Sequence, residues 1–198
     1  MPSLTRKAIL SFGFSLLLLV ALFASISMHR FQQPLDSVTD ARVFEVSPGS
    51  SLTRITNDLT EQGILTSPLF FRIAARWEGV EADLQTGEYR IEPGISTADL
   101  LAKMVAGDVI QYRVTLLEGW TITEVMEALA GQPELQQTLG EASATELAEA
   151  LELESTNPEG MLHPETYFYI KGTTDLELLR RARIRQETIL QEHWQNRL

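Results

Sequence analysis

Three times in this chain a short alternating apolar segment meets a turn ending in glycine, then a Ser or Thr, then apolar residues at helical spacing. The first copy is Val43-Phe44-Glu45-Val46, Pro48-Gly49, Ser50 or Ser51, then Leu52, Ile55 and Leu59. The second is Glu88-Tyr89-Arg90-Ile91, Pro93-Gly94, Ser96 or Thr97, then Leu100, Leu101 and Met104. The third is Arg113-Val114-Thr115-Leu116, Glu118-Gly119, Thr121, then Ile122, Val125, Met126 and Leu129. Alternation predicts a strand, Pro and Gly break it, the hydroxyl caps, and the later spacing predicts a helix. Ile55, Leu100 and Val125 each fall six residues after a turn glycine, so one helical position recurs. A chain built on this repeat is α+β.

Between the first two copies, Ser67-Pro68 followed by Leu69-Phe70-Phe71-Arg72-Ile73-Ala74-Ala75-Arg76-Trp77 predicts a second helix with proline in its first turn. Residues 42 to about 92 therefore read strand, helix, helix, strand. So small a unit has a small core and is expected to pack on its neighbours. The element order resembles the carbohydrate-binding LysM-like modules, and a plain packing platform is the competing reading.

Ahead of the repeats, Ile9 to Met28 runs for 20 residues without a charge. At about 1.5 Å per residue a helix of that length reaches roughly 30 Å, the thickness of a bilayer core. Arg6 and Lys7 precede it, whereas residues 31–198 hold 13 basic against 27 acidic side chains, a net of −14 within a whole-chain charge of −11. The positive-inside bias then sets the N-terminus in the cytoplasm and residues 31–198 outside. A cleaved signal peptide is the alternative, but its apolar core is normally only about 7 to 15 residues long, which favours a retained anchor. Such acidity excludes most nucleic-acid binders. The absence of cysteine, with only three histidines, leaves no disulfide scaffold or thiol nucleophile, and no metal site or cofactor is expected.

Residues 31–41 carry turn formers and no apolar period, as a linker does. From Val114 to Ile170 there are 11 glutamates and no Lys or Arg. Most of these are expected on solvated helix faces, including a helix within Glu141 to Glu154. Thr174 and Glu177 form a capping box for a helix from Asp175 to Trp194 whose exposed side bears Arg180, Arg181, Arg183 and Arg185. Ion pairing with the acidic stretch is the plain reading of those arginines.

Asn157 to Tyr169 is different: Pro158, Gly160 and Pro164 forbid a regular element, and apolar groups crowd around Glu159. A loop this apolar is expected to fold inward. A carboxyl group among Met161, Leu162, Tyr167 and Phe168 would lose hydration, which favours the protonated form that a general acid for a glycosidic oxygen needs.

At Glu159-Gly160-Met161-Leu162-His163-Pro164-Glu165-Thr166-Tyr167 the chain resembles the endolytic murein transglycosylase family, the membrane-anchored YceG-like lytic transglycosylases. Leu117-Glu118-Gly119-Trp120-Thr121 resembles that family's strand-to-helix turn. The resemblance implies cleavage of the β-1,4 bond between N-acetylmuramic acid and N-acetylglucosamine in nascent peptidoglycan strands, leaving 1,6-anhydromuramyl ends. It implies Glu159 as the catalytic residue, without metal or cofactor. It also implies the cytoplasmic (inner) membrane as location, with peptidoglycan synthases as partners. On this reading residues 1–8 are a cytoplasmic tail, 9–28 a transmembrane helix and 29–41 a linker. Residues 42–110 are the LysM-like module and repeat, and 111–198 the N-terminal part of a catalytic domain that continues further in the family.

Glu118 is a decoy for Glu159, since it takes the turn slot held by Pro48 and Pro93. Glu165 more simply fixes a loop or caps an element. His163, Tyr167 and Tyr169 are candidate glycan contacts, although buried tyrosines are the default. A non-catalytic, membrane-anchored wall-binding or scaffold protein is the alternative function.

Overall fold

The structure is a computed structural model that describes residues 14, 15, 18, 19, 31–140 and 142–197. The expected tail at 1–8, and all of the 9–28 span except those four positions, lie outside the described residues. Among the described residues no helix is long and apolar enough to cross a membrane. The chain divides into two compact units, Met1–Asp108 and Val109–Leu198.

The first unit contains β1 (Arg42–Val46), α1 (Leu52–Glu61), α2 (Pro68–Glu78), β2 (Gly87–Ile91) and α3 (Thr97–Ala106). β1 and β2 pair antiparallel with Phe44 opposite Tyr89. Ser51 caps α1 by accepting the Arg54 N–H, and α3 begins in a capping box between Ser96 and Asp99. α2 has proline in its first turn and ends at Gly79 in the left-handed region. Phe44, Ile55, Leu59, Phe71, Leu100 and Met104 are buried in the core. Each such side chain, fully removed from water, contributes roughly 1.5–3 kcal/mol. Part of the stretch read as a linker is docked here. The Leu35 N–H donates to Ile95 O at 2.8 Å, Ser37 Oγ donates to Ile64 O at 2.6 Å, and Val38 is buried.

The second unit contains β3 (Tyr112–Thr115), α4 (Ile122–Ala130), α5 (Ala144–Ala150), β4 (Thr166–Tyr169) and α6 (Asp175–Gln195). β3 and β4 pair antiparallel with Val114 opposite Tyr167. Capping boxes start α4 at Thr121 and Glu124, α5 at Ser143 and Glu146, and α6 at Thr174 and Glu177. Val114, Leu129, Leu147, Leu151, Tyr167 and Leu178 form its buried centre. α5 is shorter than the helix expected within 141–154, because the chain turns at Glu152, whose φ of 55° is left-handed.

β4 corrects the expectation that 157–169 holds no regular element. The prolines end at Pro164, and Thr166-Tyr167-Phe168-Tyr169 is β-branched and aromatic, the composition that suits a pleated ladder. It also opens a fourth copy of the repeat. Gly172 has φ of 83°, Thr174 caps two residues later, and Leu178, six residues after the glycine, is buried. Phe44, Tyr89, Val114 and Tyr167 all stand five residues before their glycines and are all buried. Each unit is thus two copies whose strands pair at that shared position.

Candidate functional site

Glu159 is carried by the loop between α5 and β4. Within it the Met161 N–H donates to Pro158 O at 3.1 Å, and Gly160 has φ of 74°. This is a β-turn that requires glycine at its third position and sets Glu159 at its tip. Asn157 Oδ1 accepts the Glu159 N–H at 3.1 Å, and Ser155 Oγ accepts the Asn157 N–H at 3.1 Å, so two side chains hold the approach to the turn.

The Glu159 carboxylate meets the start of α4. The Ile122 N–H lies 3.1 Å from Oε1 and 3.2 Å from Oε2. That N–H is one of the donors a helix cannot satisfy within itself. Thr121 and Glu124 satisfy two of its neighbours, and these hydrogen bonds, the Thr121 backbone N–H first, hold the Glu124 carboxyl below its ordinary range. The carboxylate opens on a cleft of about 270 Å³ lined by Leu116, Trp120, Ile122, Pro158, Gly160 and Gln186, among others. No carboxylate other than Glu159 lines it among the described residues.

The expected desolvation of Glu159 is not found. Glu159 is exposed and Met161 is 37% exposed, whereas Leu162 packs against the core and Tyr167 lies within it. The turn projects the carboxylate outward while the apolar residues after it return to the sheet. Tyr167 and Tyr169 are not brought to the cleft, because alternate residues of a strand share a face and both of theirs is the inner one. Phe168 between them is 54% exposed. The Tyr167 hydroxyl donates to His163 O at 2.8 Å and the Tyr169 hydroxyl to Gln132 Oε1 at 3.1 Å. Burial, then the charge of Glu165, pushes the Tyr167 phenol up to about 12, and burial, then Glu134, raises that of Tyr169.

His163 is half-buried and stands behind the cleft wall, its Nδ1 3.1 Å from Gln186 Oε1. Glu118 is exposed in the turn before α4 and does not line the cleft. Glu165 fixes the strand edge, with its carbonyl accepting the Leu116 N–H at 3.0 Å and its carboxylate 3.5 Å from Arg185. Of the other arginines, Arg180 pairs with Glu152 and Arg183 with Glu187, each at 3.5 Å. Among the described residues no group of three or more His, Asp or Glu is arranged to hold a metal ion. Sequence reasoning missed the Ile122 N–H and Gln186, which are 37 and 27 residues from Glu159 and reach it only through the fold.

Residues 44–198 match the YceG-like family model. The chain belongs to the YceG-like family. Two proteins named endolytic murein transglycosylase, from Streptococcus pneumoniae strains D39 and R6, are each 25% identical over 204 residues, covering 85% of this chain. The chain spans 37% of the length of these curated relatives. A crystal structure of a yceG-like protein from Listeria monocytogenes is 19% identical with a TM-score of 0.37, covering 79% of this chain and 57% of that one. The YceG-like match runs from Phe44, within β1, through both units, and takes in the Glu159 turn.

Proposed function

We propose that this YceG-like chain carries the acid of a lytic transglycosylase that cuts the glycan strands of peptidoglycan internally, with Glu159 as the catalytic residue. One observation carries the reading: a single carboxylate, held at a turn tip, opens on a cleft that no second carboxylate lines among the described residues. The two relatives named endolytic murein transglycosylase support the substrate class.

One carboxyl group suffices for that reaction. Glu159, protonated, gives its proton to the glycosidic oxygen as the bond from C1 breaks. As carboxylate it then takes the proton of the muramyl C6 hydroxyl, whose oxygen bonds to C1 and closes the 1,6-anhydro ring. No water is consumed. Hydrolysis would instead use a second carboxylate at a set separation. The uncharged run from Ile9 to Met28 behind Arg6 and Lys7 supports an anchor in the cytoplasmic membrane, with the repeats outside near peptidoglycan synthases.

The test is incubation of the full chain with isolated peptidoglycan and analysis of the products. Release of 1,6-anhydromuramyl ends that disappears in Glu159→Gln is expected. Absence of such ends, or ends undiminished in that variant, overturns the reading. Glycan binding without turnover would then leave the wall-binding scaffold in its place.

A further inference from the structure

Gln186 lies midway along α6 and faces both sides of the catalytic turn. It lines the cleft with Glu159 and Gly160, and it lines a second groove, of about 670 Å³, with Met161. Its side chain is half-buried and its orientation is fixed. His163 Nδ1 stands 3.1 Å from Gln186 Oε1. A carbonyl oxygen only accepts, so in this arrangement an imidazole that carries a proton on Nδ1 donates it to the amide. The two N–H groups of Nε2 are left on the other side, and no acceptor among the described residues takes them.

The holder is itself held. The His163 N–H donates to Ala182 O at 3.1 Å, and Ala182 is one turn before Gln186 on the same face of α6. The His163 carbonyl accepts the hydroxyl of buried Tyr167 at 2.8 Å. Hydrogen bonds therefore tie buried Tyr167, through His163, to Gln186, which lines the cleft. Such support is what keeps a recognition group in one rotamer.

We infer that Gln186 is a specificity-determining residue of the Glu159 cleft, its amide N–H reading the carbonyl of a sugar's 2-acetamido group, with His163 as its positioning residue. This rests on the glycan-cleaving function proposed above. The amino sugars of peptidoglycan differ from plain hexoses by that acetamido group, an uncharged acceptor. A neutral amide matches it without desolvating a charge. A lysine or arginine in this place would pair with Glu159, which makes no ion pair among the described residues.

The experiment compares soluble glycan strands that are fully N-acetylated with the same strands chemically de-N-acetylated. Binding and anhydro-end formation are measured for the full chain, Gln186→Met and Gln186→Leu. The new ammonium groups change affinity for an acidic protein in every variant alike, so the readout is the ratio of the two substrates across variants. The ratio is expected to fall roughly tenfold in both Gln186 variants, the effect of one hydrogen bond. It should fall less in His163→Phe, which frees the amide without removing it. A ratio unchanged in the Gln186 variants, with unfolding temperatures intact, overturns the assignment, and a ratio unchanged in His163→Phe overturns the positioning role. Failure of the parent reading looks different: no anhydro ends from any protein, while the binding ratio still reports on Gln186.

Discussion

Both units run strand, helix, helix, strand, helix, and both pair their strands at the residue five before the turn glycine, Phe44 with Tyr89 and Val114 with Tyr167. They differ where that scaffold imposes least. In the first unit residues 79–86 join the second helix to the second strand, and in the second unit residues 151–165 do so. The longer connection forms the Glu159 turn. Where the first unit has Pro48-Gly49 and Pro93-Gly94, the second has Glu118-Gly119 followed by Trp120, and the helix begun there offers the Ile122 N–H to Glu159. Where α3 begins with Thr97, α6 begins with Asp175, whose buried carboxylate accepts N–H groups from Thr138 and Leu139. Chemistry has been added on a connection, and the repeat beneath it holds that connection in place.

The sharpest break of this comparison is Glu159→Gln. If the second unit alone does chemistry, anhydro-end formation falls by roughly 10²- to 10⁴-fold, the usual weight of a positioned acid and base. The exposed side chain predicts little change in unfolding temperature. A matching loss on replacing Glu118 would undo the distinction between turn slot and catalytic loop.

Next come the equivalent core positions. Leu100 and Leu178 stand six residues after Gly94 and Gly172 and are both fully buried. Truncating either to Ala should cost about 2–5 kcal/mol in urea unfolding. Asp175→Ala should cost about 2–3 kcal/mol, because it strands the Thr138 and Leu139 donors, whereas Thr97→Ala, lacking such partners, should cost less. Equal costs for Asp175→Ala and Thr97→Ala would mean that the carboxylate adds nothing to the second unit.

Much of the scaffold was legible because it rests on local rules. Gly49, Gly94 and Gly119 mark turns, Ser51, Ser96 and Thr121 cap, and Ile55, Leu100 and Val125 recur in phase. The fourth copy escaped because Pro158 and Pro164 made the whole of 157–169 look irregular, and because Lys171 replaces proline before Gly172. Glu159 stood out as a carboxylate in an unusual loop. Its surroundings did not, since the apolar residues after it fold back to β4 instead of enclosing it. Gln186 was invisible: one polar residue in a polar helix gains meaning only when His163 is brought beside it.

Each unit has a tyrosine at the same repeat position, five residues before a turn glycine. Tyr89 and Tyr167 are both pushed up to about 12, chiefly by burial, with Asp108 adding to the first and Glu165 to the second. A phenol whose value is raised on folding stabilises the fold fully below pH 10, and that stability is lost as pH rises from there through about 12. Alkaline difference spectra should therefore show late-ionising tyrosines beside the raised Tyr169, one removed by Tyr89→Phe and one by Tyr167→Phe. Ionisation of either near pH 10 in the folded protein would separate the two positions.

The smallest effect is expected at the helix starts, on the acid side. Asp99 in the first unit is lowered chiefly by the Ser96 hydroxyl, and in the second unit Glu124 is lowered chiefly by the Thr121 N–H and Glu146 by the Ser143 hydroxyl. A carboxyl group lowered on folding contributes stability that is fully present above its unfolded value, 3.8 for Asp99 and 4.5 for the glutamates, and is lost as pH falls through the folded value. These groups are exposed, so each effect is small and weakens further with salt. α1 supplies the internal reference, since Arg54 occupies the place of the box acid and only the Ser51 hydroxyl caps. Melting temperature followed from pH 6 to pH 3 should decline less steeply in Glu124→Gln with Glu146→Gln than in the parent chain. Arg54→Gln, which removes no capping acid, should leave the slope as it was. An unaltered slope in the double variant would mean that the boxes fix where α4 and α5 begin without making the second unit sensitive to acid.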